Sequence, residues 1–185
     1  MHTEVHIHGN IPLRRGVTLG DIESALRPWL DYVDVDSLAE ATSARDDEPG
    51  VVFDPRRRVL ELCWTGYVGR KFHGAVEAAL QALNAFAEEA TEIEVSYYHE
   101  DGRDEYAVVF VGPSAQAVHE AKRRRMIEDL RALLARHFGE SESGEVVALV
   151  NQLFDRIEPE SLGGAERPAT EPERAPLSTS KKHLH

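Results

Sequence analysis

The sequence predicts an α+β fold, and three observations predict it. Segments of alternating apolar and polar residues, at 3–8, 51–64 and 91–111, read as strands. Between and after them, apolar residues recur every three or four positions, which reads as helix. A chain of 185 residues is long enough for one well-buried domain.

The first strand is Thr3 to His8, with Val5 and Ile7 facing inward. "NIPLRRGVT" follows as a loop, and Thr18 with Asp21 resembles a capping box at a helix start. Leu19, Ile22, Leu26, Trp29, Leu30 and Val33 share one helical face, which Pro28 kinks or restarts. An acidic linker carries a short helical turn near Asp36 to Glu40. A hairpin then runs from "VVF" through "DPRR" to "RVLELCW", with Leu60, Leu62 and Trp64 on one side and Val59, Glu61 and Cys63 on the other. A second helix spans about Arg70 to Ala90, its stripe being Phe72, Val76, Ala79, Leu80, Leu83, Phe86 and Ala90.

The second hairpin, "TEIEVSYYHEDGRDEYAVVFVG", is centred on Asp101-Gly102, a type I′ pair. A two-residue loop there sets Tyr97 opposite Tyr106, Val95 opposite Val108 and Ile93 opposite Phe110. Ser114 caps a helix carrying Val118, Ala121, Ile127, Leu130, Leu134 and Phe138, and a last helix from about Gly144 to Ile157 carries Val146, Val147, Val150, Leu153, Phe154 and Ile157 on one stripe. From Glu158 the chain is rich in Pro, Glu, Ser and Gly, the composition of a disordered tail.

The order β-α-β-β-α-β-β-α-α contains the split βαβ pattern, and so resembles a ferredoxin-like core extended by one antiparallel strand. Residues 1–112 form this domain, 113–157 a helical hairpin packed on it or on a second subunit, and 158–185 the tail. With the first strand beside the third and fourth, an open sheet face displays Glu4, His6 and His8, Val59, Glu61 and Cys63. It also displays Glu94, Ser96 and Tyr98, and Ala107, Val109 and Val111. The valines imply that this face is partly covered.

His2, His6 and His8 crowd the first strand, and His6 and His8 share a side. Imidazoles at i and i+2 can share a divalent transition metal, with Glu61, Cys63 or Glu94 completing the shell. The bland alternative is a pair of polar residues on a solvated strand. Cys63 acts as a nucleophile only beside a base, and a lone strand cysteine is usually inert. The carboxylates around His99 at the hairpin tip suit an ion, but they also suit a soluble turn. In "TGYVGRKFHG", two glycines lead to Arg70, Lys71 and His73 at a helix start, an anion-binding arrangement without P-loop spacing.

Net charge is −12, against general phosphate-backbone binding, so nucleic acid is not the expected partner. Residues 31–48 hold seven acids and one arginine, including Asp46, Asp47 and Glu48. Residues 114–138 hold six basic residues against three acids, including the run Lys122, Arg123, Arg124 and Arg125. Both stretches are candidate partner surfaces. No apolar run approaches a membrane span, no signal pattern stands at the start, and the single cysteine excludes an internal disulfide; the expected location is the cytoplasm.

These features favour a non-enzymatic interaction or regulatory protein without a cofactor, expected to homodimerise. A specific form is an acidic inhibitor of a basic, nucleic-acid-binding host or defence protein. The alternative is a small metal-dependent or anion-binding enzyme centred on His6 and His8.

Overall fold

A computed structural model describes residues 3–157. Strands β1 (Thr3–Pro12), β2 (Gly50–Asp54), β3 (Val59–Val68), β4 (Thr91–Tyr98) and β5 (Glu105–Val111) form one antiparallel sheet in the order β2-β3-β1-β4-β5. The first strand therefore lies between the third and fourth, as the sequence predicts. Helices α1 (Leu19–Ala25), α2 (Arg27–Tyr32), α3 (Phe72–Ala82), α4 (Ala115–Leu134) and α5 (Glu140–Arg156) complete the α+β fold. His2 and the predicted tail from Glu158 lie outside the described residues. Among those described, no helix is long and apolar enough to cross a membrane.

Local chemistry explains the breaks. Thr18 and Asp21 form the full capping box of α1. Pro28 sits in the first turn of α2, where its missing N–H is no loss, so the chain restarts there instead of continuing α1. Asp54 accepts the N–H groups of Arg56 and Arg57 in the first hairpin turn. The β1 strand runs further than its alternation suggests, because Ile11 pairs with Leu60 and is fully buried. Pro12 is tolerated because pairing with β4 has already ended at His8. Gly9 lies inside this strand, where an added Cβ would press on Ile93 Cδ1 and stand 3.0 Å from the Glu92 carbonyl, so the glycine lets β4 approach closely.

The core lies between the sheet and α1 to α3. Val5, Ile7, Leu60, Leu62, Ile93 and Val95 meet Ile22, Leu26, Leu30, Val76, Leu80 and Leu83. At its centre Trp64 stacks on Phe72 at 5.6 Å and meets Trp29 edge-on at 5.3 Å. The α3 helix ends at Ala82, short of the expected Ala90, and a 3-10 turn over Leu83–Ala85 delivers Leu83 and then Ala87 into the core. On the opposite face α4 crosses the sheet beside β5, burying Val118 and Ala121, and α5 packs on α4.

The second hairpin differs from expectation by one residue. Its pairs are Tyr97 with Glu105, Ser96 with Tyr106, Val95 with Ala107 and Ile93 with Val109. The turn is not the two-residue type I′. His99 accepts the N–H of Gly102, whose φ of +74° places it in the left-handed region after the turn. A turn followed by such a glycine is the bulged, odd-numbered hairpin connection. An odd loop inverts every side chain of β5. Ala107, Val109 and Val111 therefore face α1 to α3, and Tyr106, Val108 and Phe110 take the places assigned to them on the open face. The apolar residues of the open face are this second set, and α4 crosses the sheet on that side.

Candidate functional site

Three regions hold the residues singled out by sequence. The first is the open sheet face. Antiparallel pairing sets His8 between Cys63 and Glu94, and His6 between Thr65 and Ser96. The expected neighbours are thus assembled in the ladder, but the side chains are engaged otherwise. His6 Nε2 lies 2.8 Å from Glu4 Oε1, which also accepts from Arg45 Nη2 at 2.8 Å. Arg45 is 3.2 Å from the same imidazole nitrogen. The Tyr98 ring closes on His6 at 5.0 Å, edge to face. A guanidinium here opposes a metal cation, and His8 and Glu61 are exposed. Among the described residues, no group of three or more His, Cys, Asp or Glu is placed to hold a metal ion. Burial, with Glu48 and Glu61 nearby, pushes the Cys63 thiol up, away from nucleophilic character.

Beside this network the loop before β2 is tied to the sheet. Thr65 is almost wholly buried, its Oγ1 donating to Glu48 at 3.0 Å and its N–H to Ser43 Oγ at 2.9 Å. Its carbonyl accepts from Ala44 N at 2.8 Å. Of the acidic partner candidates, Glu48 is therefore committed internally, whereas Asp46 and Asp47 are exposed.

The second region is one end of the sheet, around the predicted anion-binding residues. Thr3, Val68, Gly69, Arg70, Tyr97 and His99 line a partly open cavity of about 260 Å³. The Tyr97 hydroxyl lies 2.9 Å from His73 Nδ1, and burial pushes its pKa up to about 12. Thr3 Oγ1 lies 3.2 Å from His99 Nδ1, while His99 Nε2 is buried without a hydrogen-bond partner. Of the three predicted residues, Arg70 lines the cavity and His73 reaches it through Tyr97. Lys71 stands at the N-cap of α3 and is exposed.

The third region is the helical hairpin. The basic run divides by helix face. Arg123 donates to Asn151 at 2.7 Å and Asp155 at 2.9 Å, tying α4 to α5. Arg125 donates to Glu92 at 2.6 Å and Asp129 at 3.0 Å, tying α4 to the sheet. Lys122 and Arg124 are exposed. Two residues of the run are thus internal clamps.

Sequence reasoning missed Arg45, Thr65, Thr3 and Tyr97. Arg45 had a signal, as the single cation within the acidic stretch 31–48. Tyr97 had one too, as a hydroxyl-bearing ring at an inward strand position. Thr65 and Thr3 carried none, since their partners are distant in sequence.

A family model described as "Family of unknown function (DUF6806)" matches residues 3–155. No curated protein and no solved structure matches the chain.

Proposed function

The chain belongs to this family of unknown function (DUF6806), and we propose that it is a non-enzymatic interaction protein that self-associates through its C-terminal helical hairpin. The observation that carries this reading is a second apolar stripe on α5. One stripe is engaged by α4: Val147 is buried, and Phe154 meets His119 at 5.3 Å. The other comprises Val146, Leu149 and Leu153, which are 39%, 57% and 47% exposed, and Ile157, 58% exposed, follows just past the helix end. The steps of three and then four residues along the helix are those of a helix seam. On α4, Met126 and Leu133 are also exposed. A helix apolar on two sides is built for two partners.

A second copy fits the second side. Laid antiparallel about Asn151, the stripe is self-complementary, with Leu149 against Leu153 of the second copy. The same arrangement brings the acidic start of α5, with Glu140, Glu142 and Glu145, to the end carrying Arg156. Lys122, near the other end of the hairpin, adds to that positive end. Sedimentation equilibrium tests the reading. Wild type is expected to show a monomer–dimer equilibrium. The double variant Leu149→Glu with Leu153→Glu is expected to stay monomeric with unchanged circular dichroism. A wild-type chain that is monomeric at every concentration overturns the proposal.

A further inference from the structure

We propose that the cavity at the end of the sheet binds a small organic carboxylate with an apolar body, independently of self-association. Its lining divides by chemistry. Val68 and the ring of Tyr97, both buried, supply apolar walls, and the His99 imidazole a third flat surface. Arg70 supplies the cation, and among the described residues it forms no ion pair. A guanidinium offers two parallel N–H groups, the match for a carboxylate. Thr3 adds a hydroxyl to the lining, 3.2 Å from His99 Nδ1.

The surroundings favour an anion at the Arg70 side. Lys71 follows in sequence, and α3 begins at Phe72 without a side-chain cap. Glu105 and Glu77 lie 3.8 Å from His99 and His73 and are 74% and 50% exposed, so solvent screens them. The Tyr97 hydroxyl is fixed by His73, which holds the aromatic wall in one orientation.

Size and polarity then choose among anions. A volume of about 260 Å³ falls below the ~300–1,000 Å³ of pockets for drug-sized ligands, so the occupant is small. Inorganic phosphate fits poorly, because one guanidinium and one hydroxyl leave most of its oxygens facing Val68 and aromatic carbon. A flat carboxylate places two oxygens on Arg70 and its hydrocarbon against those walls.

The test is an NMR titration of the full chain with three probes: benzoate, neutral benzamide and inorganic phosphate. Benzoate is expected to give saturable shifts at Gly69, Arg70, Tyr97 and His99, with affinity about tenfold weaker in Arg70→Gln. Benzamide and phosphate are expected not to saturate at matched millimolar concentration. Arg70 is exposed, so the variant keeps the fold, and unchanged shifts elsewhere check this. Absence of saturation by benzoate overturns the proposal, as does equal benzoate affinity in Arg70→Gln. Phosphate binding as tightly as benzoate overturns the assignment of an apolar-bodied ligand. None of these outcomes depends on whether the chain is a dimer.

Discussion

At the scale of single residues, Thr65 concentrates more bonding than its size suggests. It is the one buried polar residue among those described, 1% exposed, and its N–H, carbonyl and hydroxyl all bind the segment from Ser43 to Glu48. Replacing the hydroxyl by a methyl keeps the shape of the side chain but removes the donor to Glu48. A partly buried acceptor left without its donor costs about 1–3 kcal/mol. Thr65→Val is therefore expected to lower the urea midpoint by a corresponding amount without changing the slope of the transition. The neighbouring Gly66 has a different constraint: the Trp64 indole lies where its Cβ would be, so Gly66→Ala forces Trp64 out of its stack on Phe72. An unchanged midpoint in Thr65→Val means that the backbone bonds of residue 65, to Ser43 Oγ and from Ala44 N, hold the loop without the hydroxyl.

At the scale of elements, the two hairpins show what local sequence could and could not specify. In β3, Leu60, Leu62 and Trp64 alternate with Val59, Glu61 and Cys63, so one face is plainly apolar and the register follows. In β5, Tyr106, Val108 and Phe110 alternate with Ala107, Val109 and Val111, and both sets are apolar. Such a strand is covered on both faces, by α1 to α3 on one side and by α4 on the other, so its hydrophobic pattern cannot choose a register. The turn chooses, and Asp-Gly is compatible with both an even and an odd connection. Here Arg103 folds back to donate its N–H and guanidinium to Asp101, favouring the bulged form. The capping box, the proline break and the Ser114 cap were legible because each depends on residues within one turn. The tie between α4 and the sheet was not, since Arg125 and Glu92 are 33 residues apart. Arg125→Ala is expected to speed hydrogen exchange several-fold across α4 and α5 while leaving β1 and β3 unaffected. Equal acceleration in the sheet means that the hairpin and sheet open as one unit.

At the scale of the whole molecule, the sheet carries a packed core on one face and an electrostatic network on the other, and the two respond differently to pH. Alternation, together with a first strand set beside the third and fourth, places the candidate metal residues side by side in the ladder as observed. What alternation could not supply was the contact with Arg45, which stands out in sequence as a lone cation but reaches His6 from a loop 39 residues away and turns His6 and Glu4 into an ion-pair network. Hydrogen bonds from His6 and then Arg45 hold Glu4 below its ordinary value of 4.5. For Glu48 burial acts upward, but hydrogen bonds from Ser43 and Thr65, with the Arg45 charge, outweigh it and the net shift is downward. A carboxylate with a depressed folded pKa contributes stability that is present above its unfolded pKa. That contribution is lost as pH falls through the folded value. The window therefore opens near pH 4.5 and extends below it. Asp21, Asp54 and Asp101 are lowered as well, by Thr18, by the Arg57 and Arg56 N–H groups and by Arg103. Their partners lie within three residues in the chain, at a cap and two turns, so they leave a shallower background. Urea unfolding followed from neutral pH into the acid range is expected to show stability falling through this window in wild type. Glu4→Gln with Glu48→Gln is expected to begin less stable at neutral pH and to fall less steeply, so that the two curves converge in acid. Parallel curves would place the acid sensitivity in the cap and turn aspartates and remove the loop before β2 from any account of it.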